Sequence, residues 1–123
     1  MAVLTGGAAP DTSAAPGKFE HELITVIANE GHTDEVMDAA RSAGAAGGTV
    51  LHAKGTGAQR AEKFLGVSLA DEKEVVLIVS KAGEKAAIMK AIADNCGVGT
   101  PSGAISFSLP ISSVAGLRVL DDD

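Results

Sequence analysis

Apolar residues gather in short runs between glycine-rich and charged stretches, and the runs carry two different periods. Leu23–Ala28 (LITVIA) is apolar at nearly consecutive positions and rich in β-branched residues, which predicts a buried strand. Thr33 is placed to cap a helix whose first turn carries Asp34 and Glu35, acidic groups that suit the positive end of the helix dipole. Val36, Met37, Ala40 and Ala43 then recur at helical spacing, and Gly44 suits the left-handed position just past a helix end. Beyond Gly47 and Gly48, Thr49–Lys54 predicts a second strand. The plan then repeats. Glu74–Ser80 (EVVLIVS) predicts a strand, and a helix follows from about Gly83 to Cys96, with Ile88, Met89, Ile92 and Cys96 on one face and Gly97 as its stop. In Ala104–Leu109, Ile105, Phe107 and Leu109 alternate with Ser106 and Ser108, the mark of a half-buried strand, and Pro110 is expected to end it.

Strand–helix–strand, a long connection, then strand–helix–strand predicts a ferredoxin-like βαββαβ sandwich of the α+β class. A doubly wound sheet needs a further strand and helix that the chain does not offer. In the sandwich two helices cover one face of the sheet. The runs 23–28 and 74–80 are apolar toward both faces, so the open face is expected to be covered by other subunits in a closed oligomer.

Composition narrows the picture. The length of 123 residues suits one domain, here 20–118. Residues 1–19 open with Ala, Gly, Pro, Ser and Thr and read as a disordered arm; 119–123 read as a solvated acidic end. The single cysteine excludes an intramolecular disulfide framework. No apolar run approaches the roughly 20 residues of a spanning helix, and the first residues lack a secretory signal, so a cytoplasmic protein with no direct membrane insertion is expected. The net charge of −6 is concentrated in the tails, which hold Asp11 and Asp121–Asp123; residues 18–120 carry ten basic against twelve acidic groups. With no basic stripe and 2% aromatic residues, nucleic acid is not an expected partner.

The connection Gly55–Lys73 (GTGAQRAEKFLGVSLADEK) is longer than a domain of this size needs, which marks 55–72 as a mobile, functional loop. Gly55-Thr56-Gly57 stands where the second strand ends, and Gly97–Gly103 joins the second helix to the last strand. Either cluster can be plain turn glycines or a backbone cradle for an anion. Arg60 stands where a dinucleotide fingerprint needs its third glycine, and no GK[ST] tripeptide forms a P-loop. His21, His32 and His52 are scattered without metal-ligand spacing, so no metal site is expected, and His52 reads as a structural or interface residue. Cys96 reads as a small core residue. Glu62, Asp71, Glu72 and Glu74 with Lys63 and Lys73 read as a solvated loop surface. No nucleophile stands with a base, so an enzyme is not expected.

Gly44–Gly57 (GAAGGTVLHAKGTG), Glu62–Gly66 (EKFLG), Glu74–Val79 (EVVLIV), Thr100–Pro110 (TPSGAISFSLP) and Val114–Leu117, in that order, resemble the PII nitrogen-regulatory signalling family and its PII-like relatives over about residues 20–118. The resemblance implies a ferredoxin-like homotrimer that is not an enzyme. It implies an adenine nucleotide (AMP, ADP or ATP) bound between subunits, and a long loop, the T-loop, that docks on a transporter, enzyme or regulator. Gly47, Gly48 and Thr49 match the family's Gly-x-Thr opening of the second strand, which faces a neighbour's nucleotide. Gly55, Thr56 and Gly57 match its Gly-aromatic-Gly, with Thr56 replacing the aromatic residue. Gln59 matches the glutamine that contacts metal-bound 2-oxoglutarate, Val75 and Val76 match strand residues lining the adenine pocket, and Ser102 and Gly103 fall in the phosphate-facing B-loop. Ala104 stands where the B-loop lysine is expected, the basic pair after the last strand is reduced to Arg118, and the loop is shortened and lacks the tyrosine that is uridylylated. Each missing charge removes a charge-assisted contact of roughly 1.5–3 kcal/mol, which favours a less charged nucleotide or another small anion over a tightly held triphosphate. The alternative reading is a metal-binding or weakly hydrolytic oligomer of the same fold.

Overall fold

The computed structural model describes residues 19–56 and 72–116. The arm apart from Phe19, the segment 57–71 and the acidic end therefore lie outside the described residues. The elements run β1 (His21–Asn29), α1 (Thr33–Ser42), β2 (Thr49–Lys54), β3 (Glu72–Lys81), a short 3-10 turn (Ala82–Glu84), α2 (Lys85–Cys96) and β4 (Ile105–Ile111). The strands form one antiparallel sheet in the order β2-β3-β1-β4, the ferredoxin-like arrangement that the sequence predicts.

The sheet alternates in burial, and the alternation explains why the central strands are so apolar. Ile24, Val26 and Ala28 of β1 and Val76 and Ile78 of β3 point to the helices and are at most 1% exposed. They meet Val36, Met37 and Ala40 of α1 and Ile88, Ile92 and Cys96 of α2 in a single core. Burial of this kind contributes about 25 cal/mol per Å² of apolar surface and holds the helices on one face only. On the other face Leu23, Val79 and Leu109 stand in one row across β3, β1 and β4, and Ile27, Val75 and Ile105 in another. Among the described residues no layer covers that face. Ile105, Phe107 and Leu109 are 51%, 46% and 53% exposed, so the apolar side of β4, expected to be half-buried, is the open side within one chain.

Local details depart from expectation for identifiable reasons. The residue at the N-cap of α1 is His32, with no side-chain cap bond, and Thr33 is already helical. The expected left-handed Gly44 is present with φ of 115°. Gly97 ends α2 without a positive φ; a Cβ there would lie 2.5 Å from the Ala93 carbonyl oxygen, so the requirement is close approach. Pro110 does not end β4, because this edge strand pairs only with β1 and tolerates a missing N–H. Glu72, Lys73 and Glu74 belong to β3 and not to a solvated loop, and Glu74 is only 8% exposed. Their alternation of exposure follows the strand's two-residue period. Among the described residues no helix is long and apolar enough to cross a membrane.

Candidate functional site

One end of the sheet gathers the end of β1, the end of β2, the start of β3 and the glycine-rich turn Gly97–Ala104. Asn29, the last residue of β1, ties them together. Its backbone N–H donates to the Ser102 carbonyl at 2.9 Å, and its side-chain amide donates to the Pro101 carbonyl at 3.0 Å. The Lys73 ammonium donates to Asn29 Oδ1 at 2.6 Å, and Lys54 lies 3.5 Å from Glu72 across the β2–β3 pair. Gly55 and Thr56, which follow Lys54, and Ser102 and Gly103 thus share one end of the molecule, with a lysine between them.

The turn is closed by its own hydrogen bonds. The N–H and hydroxyl of Thr100 donate to the Gly97 carbonyl at 3.0 and 2.7 Å, the Gly103 N–H to Thr100 at 3.0 Å, and the Ala104 N–H to Cys96 at 2.8 Å. Gly103 adopts φ of +53°, and a Cβ there would lie 3.1 Å from Asn29 Nδ2. Glycine is therefore required by conformation and by contact. Its N–H is already used, so Gly103 offers a ligand close approach to backbone and not a donor.

Ser102 is buried, and its hydroxyl donates to Glu35 Oε1 at 2.9 Å. His32 Nδ1 meets the same oxygen. These two hydrogen bonds, His32 first, hold the Glu35 carboxyl below the usual glutamate value. Behind them a groove of about 400 Å³ between α1, α2 and the turn is lined by Glu35, Asp38, Ser42, Asn95, Cys96 and Thr100 among others. Its lining holds two carboxylates and no basic side chain, which disfavours an anion there. Burial pushes the Cys96 thiol up, away from the reactive thiolate.

The remaining predicted residues are distributed unevenly. Gly47, Gly48 and Thr49 stand at the opposite end of β2; five strand steps put Thr49 about 17 Å from Lys54. Within one chain they do not meet Gly55 or Ser102. Gly48 is packed hard: a Cβ would lie 3.0 Å from Val76 Cγ1 and 3.1 Å from both the Leu77 carbonyl and Met37 Sδ. Val75 looks to the open sheet face, while Val76 is fully buried beneath the helices, so only Val75 is open to a ligand or neighbour. Gly57 and Gln59 lie outside the described residues. Lys73 and Asn29 were missed because their meeting across β1 and β3 depends on register. A second group was missed for the same reason: Glu30, His52 and Glu74, whose potential ligand atoms all lie within 4.8 Å of one another. His52 and Glu74 are direct partners across β2 and β3, 22 positions apart in the chain.

Comparison with known proteins follows the fold. The family model for nitrogen regulatory protein P-II matches residues 21–120. A sequence comparison with curated proteins found no match. Among solved structures, Arabidopsis thaliana PII bound to citrate is similar with a TM-score of 0.61 and 20% identity, covering 85% of each chain. The Bacillus subtilis GlnK–ATP complex is similar with a TM-score of 0.58 and 16% identity, over 76% of this chain and 83% of that one. A DUF3240 family protein of Shewanella baltica gives 0.58 and 18%, over 80% of this chain and 98% of that one.

Proposed function

As this chain belongs to the nitrogen regulatory protein P-II family, a family of signalling regulators that are generally not enzymes, we propose that it is a PII-like, small-molecule-sensing signal adaptor. It assembles as a homotrimer through the open sheet face, in the cytoplasm. An adenine nucleotide, or a similar small anion, binds between subunits. Gly55–Gln59 and Ser102–Gly103 of one chain face Gly47–Thr49 of the next, with Val75 available at the open face. The loop 55–72, whose last residue is already part of β3, docks on a transporter or enzyme and regulates it.

The observation that carries this reading is the convergence of the β3 start and the Gly97–Ala104 turn on Asn29, with the β2 end paired beside that β3 start. Gly47–Thr49 lie too far away to join that end within one chain, and a neighbouring subunit is the simplest source of them. The Arabidopsis protein bound to citrate and the Bacillus protein bound to ATP support an anionic effector for this fold. Lys73 is tied to the turn through its bond to Asn29, and it offers a positive charge near the position where Ala104 replaces the expected lysine.

Calorimetry with AMP, ADP, ATP and cyclic AMP, with light scattering on the same sample, tests the proposal. A trimer binding one of these nucleotides is expected, and Gly57→Val or Gly103→Val should abolish binding without dissociating it. A stable monomer, or variants that bind like the parent, would sink the site as placed.

A further inference from the structure

Glu30, His52 and Glu74 come from three different elements: the turn after β1, the middle of β2 and the start of β3. Their potential ligand atoms lie within 4.8 Å of one another. His52 Nδ1 is 3.6 Å from Glu74 Oε2, too long for a hydrogen bond. It is instead close to the separation of about 3.4 Å that two ligands at about 2.1 Å from a tetrahedral ion would have.

The group is held in place by backbone. The Gly31 N–H donates to Glu74 Oε1 at 3.1 Å, in a turn where Gly31 adopts φ of 89°. That bond fixes one oxygen of a carboxylate that is only 10% exposed, and leaves the other facing the imidazole. The Glu30 N–H donates to the Glu72 carbonyl at 3.2 Å, which pins the turn carrying Glu30 to β3. His52 stands directly across from Glu74 in the β2–β3 ladder.

Charge makes the arrangement unusual. Two carboxylates converge here, one of them nearly buried, and among the described residues the two neighbouring lysines are directed elsewhere. Lys73 bonds Asn29, and Lys54 pairs with Glu72. Like charges this close repel, and a divalent cation between them offsets that repulsion.

We propose that Glu30, His52 and Glu74 form a site for a late first-row divalent cation of the zinc class, with three protein ligands and a position left for water. An imidazole with two carboxylates suits such an ion, and the nitrogen donor disfavours magnesium and calcium, which take oxygen ligands. Glu30 and His52 are exposed and free to close the remaining distance onto Glu74, which the Gly31 N–H holds still. The bound ion would join the turn after β1 to β2 and β3 at the sheet end where the connection to residue 57 begins. This site uses different residues from the proposed nucleotide site, and it stands whether or not that reading holds.

The test uses the full chain, stripped with a chelator and free of nucleotide, titrated with zinc chloride by calorimetry and with cobalt chloride by visible absorption. One equivalent of zinc per chain and cobalt bands of a low-coordinate nitrogen and oxygen site are expected, with no heat from magnesium chloride. His52→Ala and Glu30→Gln should each weaken zinc binding tenfold or more. Both side chains are exposed, so circular dichroism should show both variants folded. His21→Ala, at the far end of β1, should bind like the parent. The proposal is overturned if the parent takes up no stoichiometric zinc, if the two variants bind as tightly as the parent, or if His21→Ala loses the ion.

Discussion

Gly47 and Gly48 are neighbours in the same motif, yet the structure predicts opposite outcomes for the same substitution. Neither needs a positive φ, so alanine is conformationally allowed at both. At Gly47 an added Cβ meets nothing within 4 Å. Within one chain Gly47→Ala should therefore stabilise by about 0.4–1 kcal/mol, because the unfolded chain loses freedom and no contact of the folded chain is crowded. At Gly48 the Cβ would press on Val76 Cγ1 at 3.0 Å, and on the Leu77 carbonyl and Met37 Sδ at 3.1 Å. Met37 can swing aside, but the Leu77 carbonyl belongs to an inner strand of the sheet and Val76 is fully buried. Overpacking of this kind costs about 1–3 kcal/mol, so Gly48→Ala should be less stable than Gly47→Ala by about that amount. Urea unfolding at one fixed protein concentration measures both, and the concentration must be held constant because assembly adds to apparent stability. In melting temperature the gap corresponds to roughly 4–8 °C per kcal/mol for a domain of this size. Equal shifts for the two variants would show that the close contacts at Gly48 relax freely, and the packing argument would fail.

Phe107→Lys places a charge on the open sheet face and should convert the assembly to monomer by light scattering; an unchanged assembly would mean that this face is not the interface. Ile78→Ala empties a fully buried position and should cost about 2–5 kcal/mol in chemical unfolding. Glu35, with its carboxyl held low by His32 and Ser102, contributes stability above its unfolded value of about 4.3 that is lost as pH falls through its folded value. The stability gap between the parent and Glu35→Gln should thus be present at pH 7 and close in strong acid, whereas a constant gap would contradict the assignment. Cys96, buried with its thiol pushed up, should react with a thiol reagent only as fast as the chain unfolds, and rapid labelling of native protein would refute its core placement.

What the sequence disclosed follows from where the physics is local. β1 and β3 are legible because their apolar residues outnumber what one face needs, and the ends of α1 and α2 because Gly44 and Gly97 stand where those helices stop. Glu72 and Lys73 resemble loop surface in the sequence, because two charged residues opening a strand gain their meaning only from Lys54 and Asn29 beside them. Pro110 looks like a terminator in the sequence, because the rule against proline holds for inner strands and position in the sheet is not a local property. The candidate site divides in the same way. Gly103 and Gly48 are marked by their residue type, and the structure gives each a steric reason. The ties of Asn29 to Lys73 and Pro101, and the meeting of His52 with Glu74, depend on strand register, which single-chain periodicity does not carry.

Pro110 has one more consequence. Its pairing with Glu22 continues through to Ile111 opposite His21, so β4 keeps its bond to β1 while its residue 110 has no N–H to offer any strand beyond. An outer row with a gap is a poor template for another strand, which is how sheets are kept from stacking edge to edge into aggregates. The opposite margin, Thr49–Lys54, contains no proline and keeps every amide. Extension of this sheet by a foreign or neighbouring strand is therefore disfavoured along β4, where a single ring removes a donor, relative to the β2 margin.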